Sequence, residues 1–128
     1  MQTQSRTFNG LFHYAGGHPD CSSVPTPGKK EVLVDDQGLS FRRKGFHVLG
    51  SEGEKALFTI PAGDIAEVRH LQHSGGLFSP PDQLIEVDMR RGDSTYTVRF
   101  KAMGYSKQND AFALYGAVNA VQGKTHGD

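Results

Sequence analysis

The residues with the most chemical potential lie in two short histidine-bearing stretches. His13, His18, Asp20 and Cys21 gather near the start of the chain, and His70 and His73 form a second group. Imidazole, carboxylate and thiolate are the ligand types of transition-metal sites, and His18-x-Asp20-Cys21 crowds all three into one turn. Neither group has a paired spacing such as H-E-x-x-H or C-x-x-C, so turn and surface histidines with no cofactor are the preferred reading. His13, His18 and Cys21 form the alternative metal set, which would serve a metal-assisted enzyme. Cys21 with His18 as its base would be a thiol nucleophile, but that needs a lowered pKa and a partner held in place. The proline-rich stretch that follows offers neither. The chain is therefore expected not to be an enzyme. Changing Cys21 to Ser or His18 to Ala is expected to leave its stability nearly unaltered.

Three further groups could bind rather than react. Lys29-Lys30 precede one apolar run, and Arg42-Arg43-Lys44 follow the next. Brought to one end of a sheet, Lys30, Arg42, Arg43 and Lys44 could hold phosphate through charge-assisted hydrogen bonds. A solvated strand end is the simpler expectation for them. Arg91-Gly92-Asp93 is explained by a hairpin turn. Leu77-Phe78 sit between Gly75-Gly76 and Pro80-Pro81, and two apolar side chains at a loop tip either fold back or meet a partner.

Composition narrows the field. The chain has 128 residues with 14 basic and 14 acidic side chains, one domain's worth with no net charge. Balanced charge argues against nucleic acid, which usually needs a basic face. Trp is absent, so the core must rest on Phe, Leu, Val and Ile. No apolar run approaches the ~20 residues that span a bilayer, and MQTQSRTFNG does not resemble a secretion signal. A single cysteine excludes an internal disulfide. These features imply a cytoplasmic protein without a transmembrane segment.

The elements that must position those groups are mostly strands. Lys30 to Arg43 carries the clearest hairpin: a β-branched run around Val32-Leu33-Val34, a reversal at Asp36-Gln37-Gly38, then the alternation Leu39-Ser40-Phe41-Arg42. Gly38 is read as a plain turn glycine closing a three-residue loop. Thr7 to Tyr14 is a first strand with a bend or bulge at Asn9-Gly10. The stretch from Lys44 to Gly50 is ambiguous. Lys55 to Ile60 is a strand ended by Pro61, and Ile65 to Leu71 is a bent or bulged one. Gln72 to Gln83 is expected to be a loop. Leu84 to Arg90 and Thr95 to Lys101 form a second hairpin, with Ile85, Val87 and Met89 on one face and Tyr96, Val98 and Phe100 on the other strand's matching face. Ala111, Leu114, Tyr115, Val118 and Val121 then recur at helical spacing. Ser106 or Asn109 would cap that helix and Gly123 would end it. Gly116 inside it suggests a close helix–sheet approach. Residues 1–6 are expected to be disordered, 7–123 to form one domain, and 124–128 to be a loose tail.

Together these words, VDDQGLSFRR, ALFTIPAGDIAEVRHL, IEVDMRRGDSTYTVRF and the terminal helix, resemble the pleckstrin-homology-like domains, especially bacterial PH-like and GRAM-like modules. The carriers of the resemblance are a D-x-G-L-x-F hairpin at Asp36 to Phe41 and the pattern F-x-I-P-x-x-D-I-x-x-V from Phe58 to Val68. Where many relatives carry an aromatic after the proline, this chain has Ala62-Gly63. The resemblance implies a mainly β fold: a strongly bent antiparallel sheet or partly open barrel of about seven strands, capped by one C-terminal helix. It also implies binding or assembly, through a protein partner or self-association into an oligomer. A phosphoinositide or anionic-lipid headgroup is the alternative ligand, although the Arg two positions after a basic residue that lipid-binding members use is missing at Arg42-Arg43-Lys44. A lipocalin-like carrier of a small apolar ligand is a further alternative from the residues themselves.

Overall fold

The computed structural model describes residues 5–21, 30–43, 56–73, 77, 81–103 and 105–122. The first strand sets the architecture. Phe8, Phe12 and Tyr14 are all buried, as alternation predicts, but Gly10 between them has φ +66°. A side chain is disfavoured there, and the backbone bends. Strand β1 (Arg6–Asn9) therefore pairs with β3 (Lys30–Asp35), while β2 (Phe12–Tyr14) pairs with the last strand, β8 (Ser94–Ala102). Backbone bonds bracket the bend, from Gly10 N to Lys30 O and from Met103 N to Leu11 O, at 2.8 and 2.9 Å. Phe8 and Phe12 meet edge-on across it, with ring centroids 5.7 Å apart.

Two antiparallel four-stranded sheets share this bent strand. The first has the order β1-β3-β4-β5, with β4 at Gly38–Arg43 and β5 at Ala56–Pro61; the second has β2-β8-β7-β6, with β6 at Ile65–His73 and β7 at Asp82–Arg91. The sheets do not close into a barrel. The fold is thus mainly β, a bent antiparallel sheet capped by the single helix α1, Lys107–Val121. A 3-10 turn at Ala62–Asp64 carries the chain from one sheet to the other, and a register shift between Ile65 and Glu67 marks the bulge in β6. Among the described residues no helix is long and apolar enough to cross a membrane.

The inner faces follow the period-two pattern. Val32, Val34, Leu39, Phe41 and Ile60 of the first sheet, and Ile85, Val87, Met89, Val98 and Phe100 of the second, are essentially inaccessible. Tyr14, Phe41, Phe58 and Phe100 form an aromatic cluster with centroids 5.1–6.3 Å apart. The helix lays Ala111, Leu114, Val118 and Val121 into the same core, on the i, i+3, i+7 stripe that its sequence predicts. Ser106 occupies the N-cap position but makes no side-chain cap bond.

Several expectations are corrected. Arg6 belongs to β1, and Gln72-His73 and Asp82-Gln83 are strand residues, so the connection is shorter than the 72–83 loop expected. The β3–β4 register pairs Asp35 with Gly38, leaving a two-residue turn. Gly38 is more than a turn residue: a Cβ there would lie 2.1 Å from the Ile60 carbonyl oxygen, because β5 and the 3-10 turn close tightly over it. Ala62 N–H donates to Gln37 O at 2.9 Å in the same place. Gly116 is exposed, with open space where a Cβ would stand, so it brings no close helix–sheet approach. The 44–50 stretch and Gly123 lie outside the described residues.

These placements give opposite signs for two glycine substitutions. Gly38→Ala is expected to cost about 1–3 kcal/mol from its φ of +136° alone, and more once the Ile60 carbonyl is displaced. Gly116→Ala is expected to stabilise by about 1 kcal/mol. Leu114→Ala should cost about 2–5 kcal/mol by opening a cavity in the shared core. Urea melts of the three variants check all of this; a neutral Leu114→Ala would mean that α1 is peripheral.

Candidate functional site

The β3–β4 register sets Lys30 opposite Arg43 and Glu31 opposite Arg42 at one end of the hairpin. Lys30 is in phase with Val32 and Val34 on the inward face of β3 and is buried, 8% exposed. Arg42 lies opposite Glu31 in the register and forms an ion pair with its carboxylate. Arg43 ends β4, and Lys44 lies outside the described residues. An inward Lys30 and a carboxylate-paired Arg42 do not make an open phosphate cradle. Leu77 is 90% exposed, whereas Phe78 lies outside the described residues.

The histidines divide as well. His13 is exposed on β2, between the buried Phe12 and Tyr14. His18 and Cys21 point the other way and are buried. No group of three His, Cys, Asp or Glu side chains among the described residues could hold a metal ion. His18 is not the surface histidine expected from its glycine- and proline-punctuated surroundings. Its ring stacks on Phe58 at 4.2 Å, so the expectation that His18→Ala would be harmless is corrected: it would empty a core position. Burial pushes the His18 pKa below the usual histidine value.

What the fold does assemble is an edge. Among the described residues β6 is the outermost strand of the second sheet, paired only with β7. Its outer face is held by charge. Register sets Arg69, Glu86 and Arg99 in one row across β6, β7 and β8, with Asp88 and Thr97 in the next. The Arg69 guanidinium donates to both Asp88 oxygens at 2.8 Å and to Glu86 Oε1 at 3.1 Å. Thr97 Oγ1 donates to Asp88 Oδ1 at 2.8 Å, and Arg99 Nε donates to Glu86 Oε2 at 2.9 Å. Bidentate and shared, these bonds fix the edge strand more firmly than isolated surface pairs do. The Arg69 hydrogen bonds hold the Asp88 carboxyl below its ordinary range, assisted by the Thr97 hydroxyl.

The inner side of the edge faces the helix. His70 Nε2 donates to the buried Gln83 Oε1 at 2.6 Å, and the Phe112 ring of α1 meets His70 edge-on at 4.8 Å. Phe112 remains 54% exposed. At the start of β6 the Gln122 side chain donates to the Ala66 carbonyl at 2.7 Å, so the end of the helix closes that part of the edge. At the far end a cleft of about 420 Å³ opens between the strands and the first helical turn, lined by Gln72, Gln83, Tyr105, Lys107 and Asn109. Tyr105 is fully exposed. The edge thus runs from a closed end at Ala66, past an aromatic wall, to a polar cleft.

Sequence reasoning missed Arg69, Glu86, Asp88, Phe112 and Tyr105. Signals existed for some of them. Glu86 and Asp88 alternate with Ile85, Val87 and Met89, and Phe112 stands off the inward helical stripe.

No protein-family model matches the chain, and no curated protein is significantly similar to it.

Because the folded pKa of Asp88 is depressed, its contribution to stability is complete above the unfolded value of about 3.9 and is lost as pH falls through the lower folded value. Asp88→Asn is expected to cost about 1–3 kcal/mol at neutral pH. Its deficit relative to the wild type should shrink steadily below about pH 4. Denaturation at a series of pH values tests this, and an undiminished deficit in strong acid would mean that the Arg69 ladder is not its source.

Proposed function

We propose that this chain is a non-enzymatic binding module of the pleckstrin-homology-like kind that accepts an extended segment of a protein partner as an added strand along β6. The observation that carries the reading is the nine-residue edge strand β6, which among the described residues has no strand beyond it, is closed only near Ala66, is rigidified from outside by the Arg69–Glu86–Asp88 network and is walled by the half-exposed Phe112. Strand addition draws affinity from main-chain hydrogen bonds and specificity from alternate side chains. An incoming strand would lay alternate residues against Phe112 and His70 and bring one end to the Gln72–Tyr105 cleft. A pre-ordered edge leaves only the incoming segment to be ordered, which lowers the cost of association. Outer-face charges already satisfied by one another favour this neutral mode over capture of an anionic headgroup. The filled aromatic core favours it over carriage of an apolar ligand.

Panning a displayed library of random extended peptides on the full chain, followed by nitrogen-15 NMR with the selected peptides, tests the reading. Selected sequences are expected to alternate apolar residues and to shift the amides of β6 and the first half of α1. Binding should persist at 0.15 M salt, where electrostatic reach has already fallen to ~8 Å. Phe112→Asp, a change at an exposed position, should weaken binding at least roughly tenfold, about 1.4 kcal/mol, while leaving the fold intact. Concentration-dependent shifts of β6 without any peptide would make a second copy the occupant. Peptides that shift β3 and β4 instead, or liposome binding abolished by Arg42→Ala, would overturn the proposal.

A further inference from the structure

Behind β2 the chain ties a knot that the proposed edge does not use. His18-Pro19-Asp20-Cys21 is a turn closed by the Cys21 N–H to His18 O bond, 3.1 Å, with proline at its favoured second position. The buried Tyr14 hydroxyl accepts the His18 backbone N–H at 2.9 Å and donates to the Cys21 carbonyl. The His18 ring, 3% exposed, lies flat on Phe58 with 21° between the planes. From these contacts we infer that residues 18–21 form an acid-released latch: protonation of His18 drives its ring out of the core and uncovers Phe58 and Cys21.

The geometry penalises a second proton twice. His18 Nδ1 accepts the Asp20 backbone N–H at 3.0 Å, which places the neutral ring's proton on Nε2. That nitrogen is sealed from solvent without a partner in hydrogen-bond geometry; the nearby Thr59 backbone favours a proton on the ring, but burial outweighs it. A proton added to Nδ1 would turn an acceptor into a donor facing another donor, and would bury a charge against Phe58. Among the described residues, the charged groups acting on the ring are the Asp20 carboxylate, which favours the cation, and Arg91, which opposes it. Arg91 has already claimed that carboxylate, with contacts of 3.1 and 3.2 Å. The remaining polar neighbours, the Tyr14 hydroxyl and the Cys21 backbone, are bonded to each other. Release stays local because the preceding residues are anchored on β8. Ala15 N–H donates to Arg99 O and Arg99 N–H donates to Gly16 O, at 2.8 and 2.9 Å. The anchor extends through Gly17, at φ 110°, where a Cβ would stand 1.8 Å from the Thr97 carbonyl oxygen of β8, so release begins at His18.

The sign follows from burial, which lowers the folded pKa of His18. The closed state is fully favoured above the unfolded histidine value of about 6.5 and loses its advantage as pH falls below it, by up to roughly tenfold per unit until the folded value is reached. Cys21 is the only cysteine in the chain, so thiol chemistry reports on this segment alone. The test divides the rate at which 2,2′-dithiodipyridine, which stays reactive in acid, modifies the chain in concentrated guanidinium chloride by the rate at which it modifies the native full chain. The ratio is expected to be constant above about pH 7 and to fall below about pH 6.5, while amides of β7 and β8 keep their exchange protection. His18→Asn, which retains an acceptor for the Asp20 N–H but cannot titrate, should show a flat ratio. Arg91→Gln changes an exposed residue and removes the opposing cation, so it should shorten the pH span of the fall. A flat wild-type ratio, an equal slope in His18→Asn, or loss of β7 and β8 protection over the same pH range would each overturn the latch.

Discussion

Everything in this fold depends on one strand belonging to two sheets. β1 completes the first sheet against β3, and three residues later β2 completes the second against β8. The change of partner requires a local backbone reversal without loss of inward phase, and Gly10 at φ +66° provides it. Phe8, Phe12 and Tyr14 consequently face one interior instead of two. The aromatic cluster around Tyr14 then becomes the point where both sheets and the 18–21 turn meet. A straight first strand would leave one sheet without its partner and the interior divided.

The same arrangement leaves β6 at the boundary. Exposed sheet edges invite unwanted pairing, and proteins blunt them with bulges, charge or cover. This chain uses all three, but unevenly. The bulge between Ile65 and Glu67 and the Gln122 contact to Ala66 O protect the start of β6. Beyond them, the charges of the outer face are turned inward on β7 and β8 through Arg69, Glu86 and Asp88. Protection therefore fades from Val68 toward His73, and that asymmetry is what gives the edge a usable stretch rather than a general liability.

Much of this was legible before any coordinates. Strict alternation in Leu84 to Arg90 and Thr95 to Lys101 placed Ile85, Val87, Met89, Val98 and Phe100 on the inner face, where they lie. The inward helical stripe and the bend at Asn9-Gly10 were equally plain, because each is a local pattern with a local cause. The misreadings concern residues whose role is set by a distant strand. Gly38 looks like any turn glycine until β5 brings the Ile60 carbonyl onto it. His18, flanked by Gly17 and Pro19, has every local mark of a surface turn, and only Phe58, forty residues away in the chain, makes it a core residue. Lys30 was readable from its phase with Val32 and Val34, but its charge drew it into a surface cluster.

The helix shows how cap and site can be one element. From Ala111 to Val121 it contains no charged residue, so its outer face has only Asn119 and the Tyr115 hydroxyl to hold water. Ala111, Leu114, Val118 and Val121 account for the inward stripe, and the fold would be satisfied with any solvating residue at position 112. Phe112 instead keeps about half of its side chain in water. Full burial of a phenylalanine is worth about 1.5–3 kcal/mol, so an occupant covering the exposed half would recover roughly 1 kcal/mol from that ring. That is about a fivefold gain in affinity from one side chain. His70, fixed from behind by Gln83, keeps the ring from collapsing onto the sheet, so the apolar surface stays presented beside the edge that needs a partner.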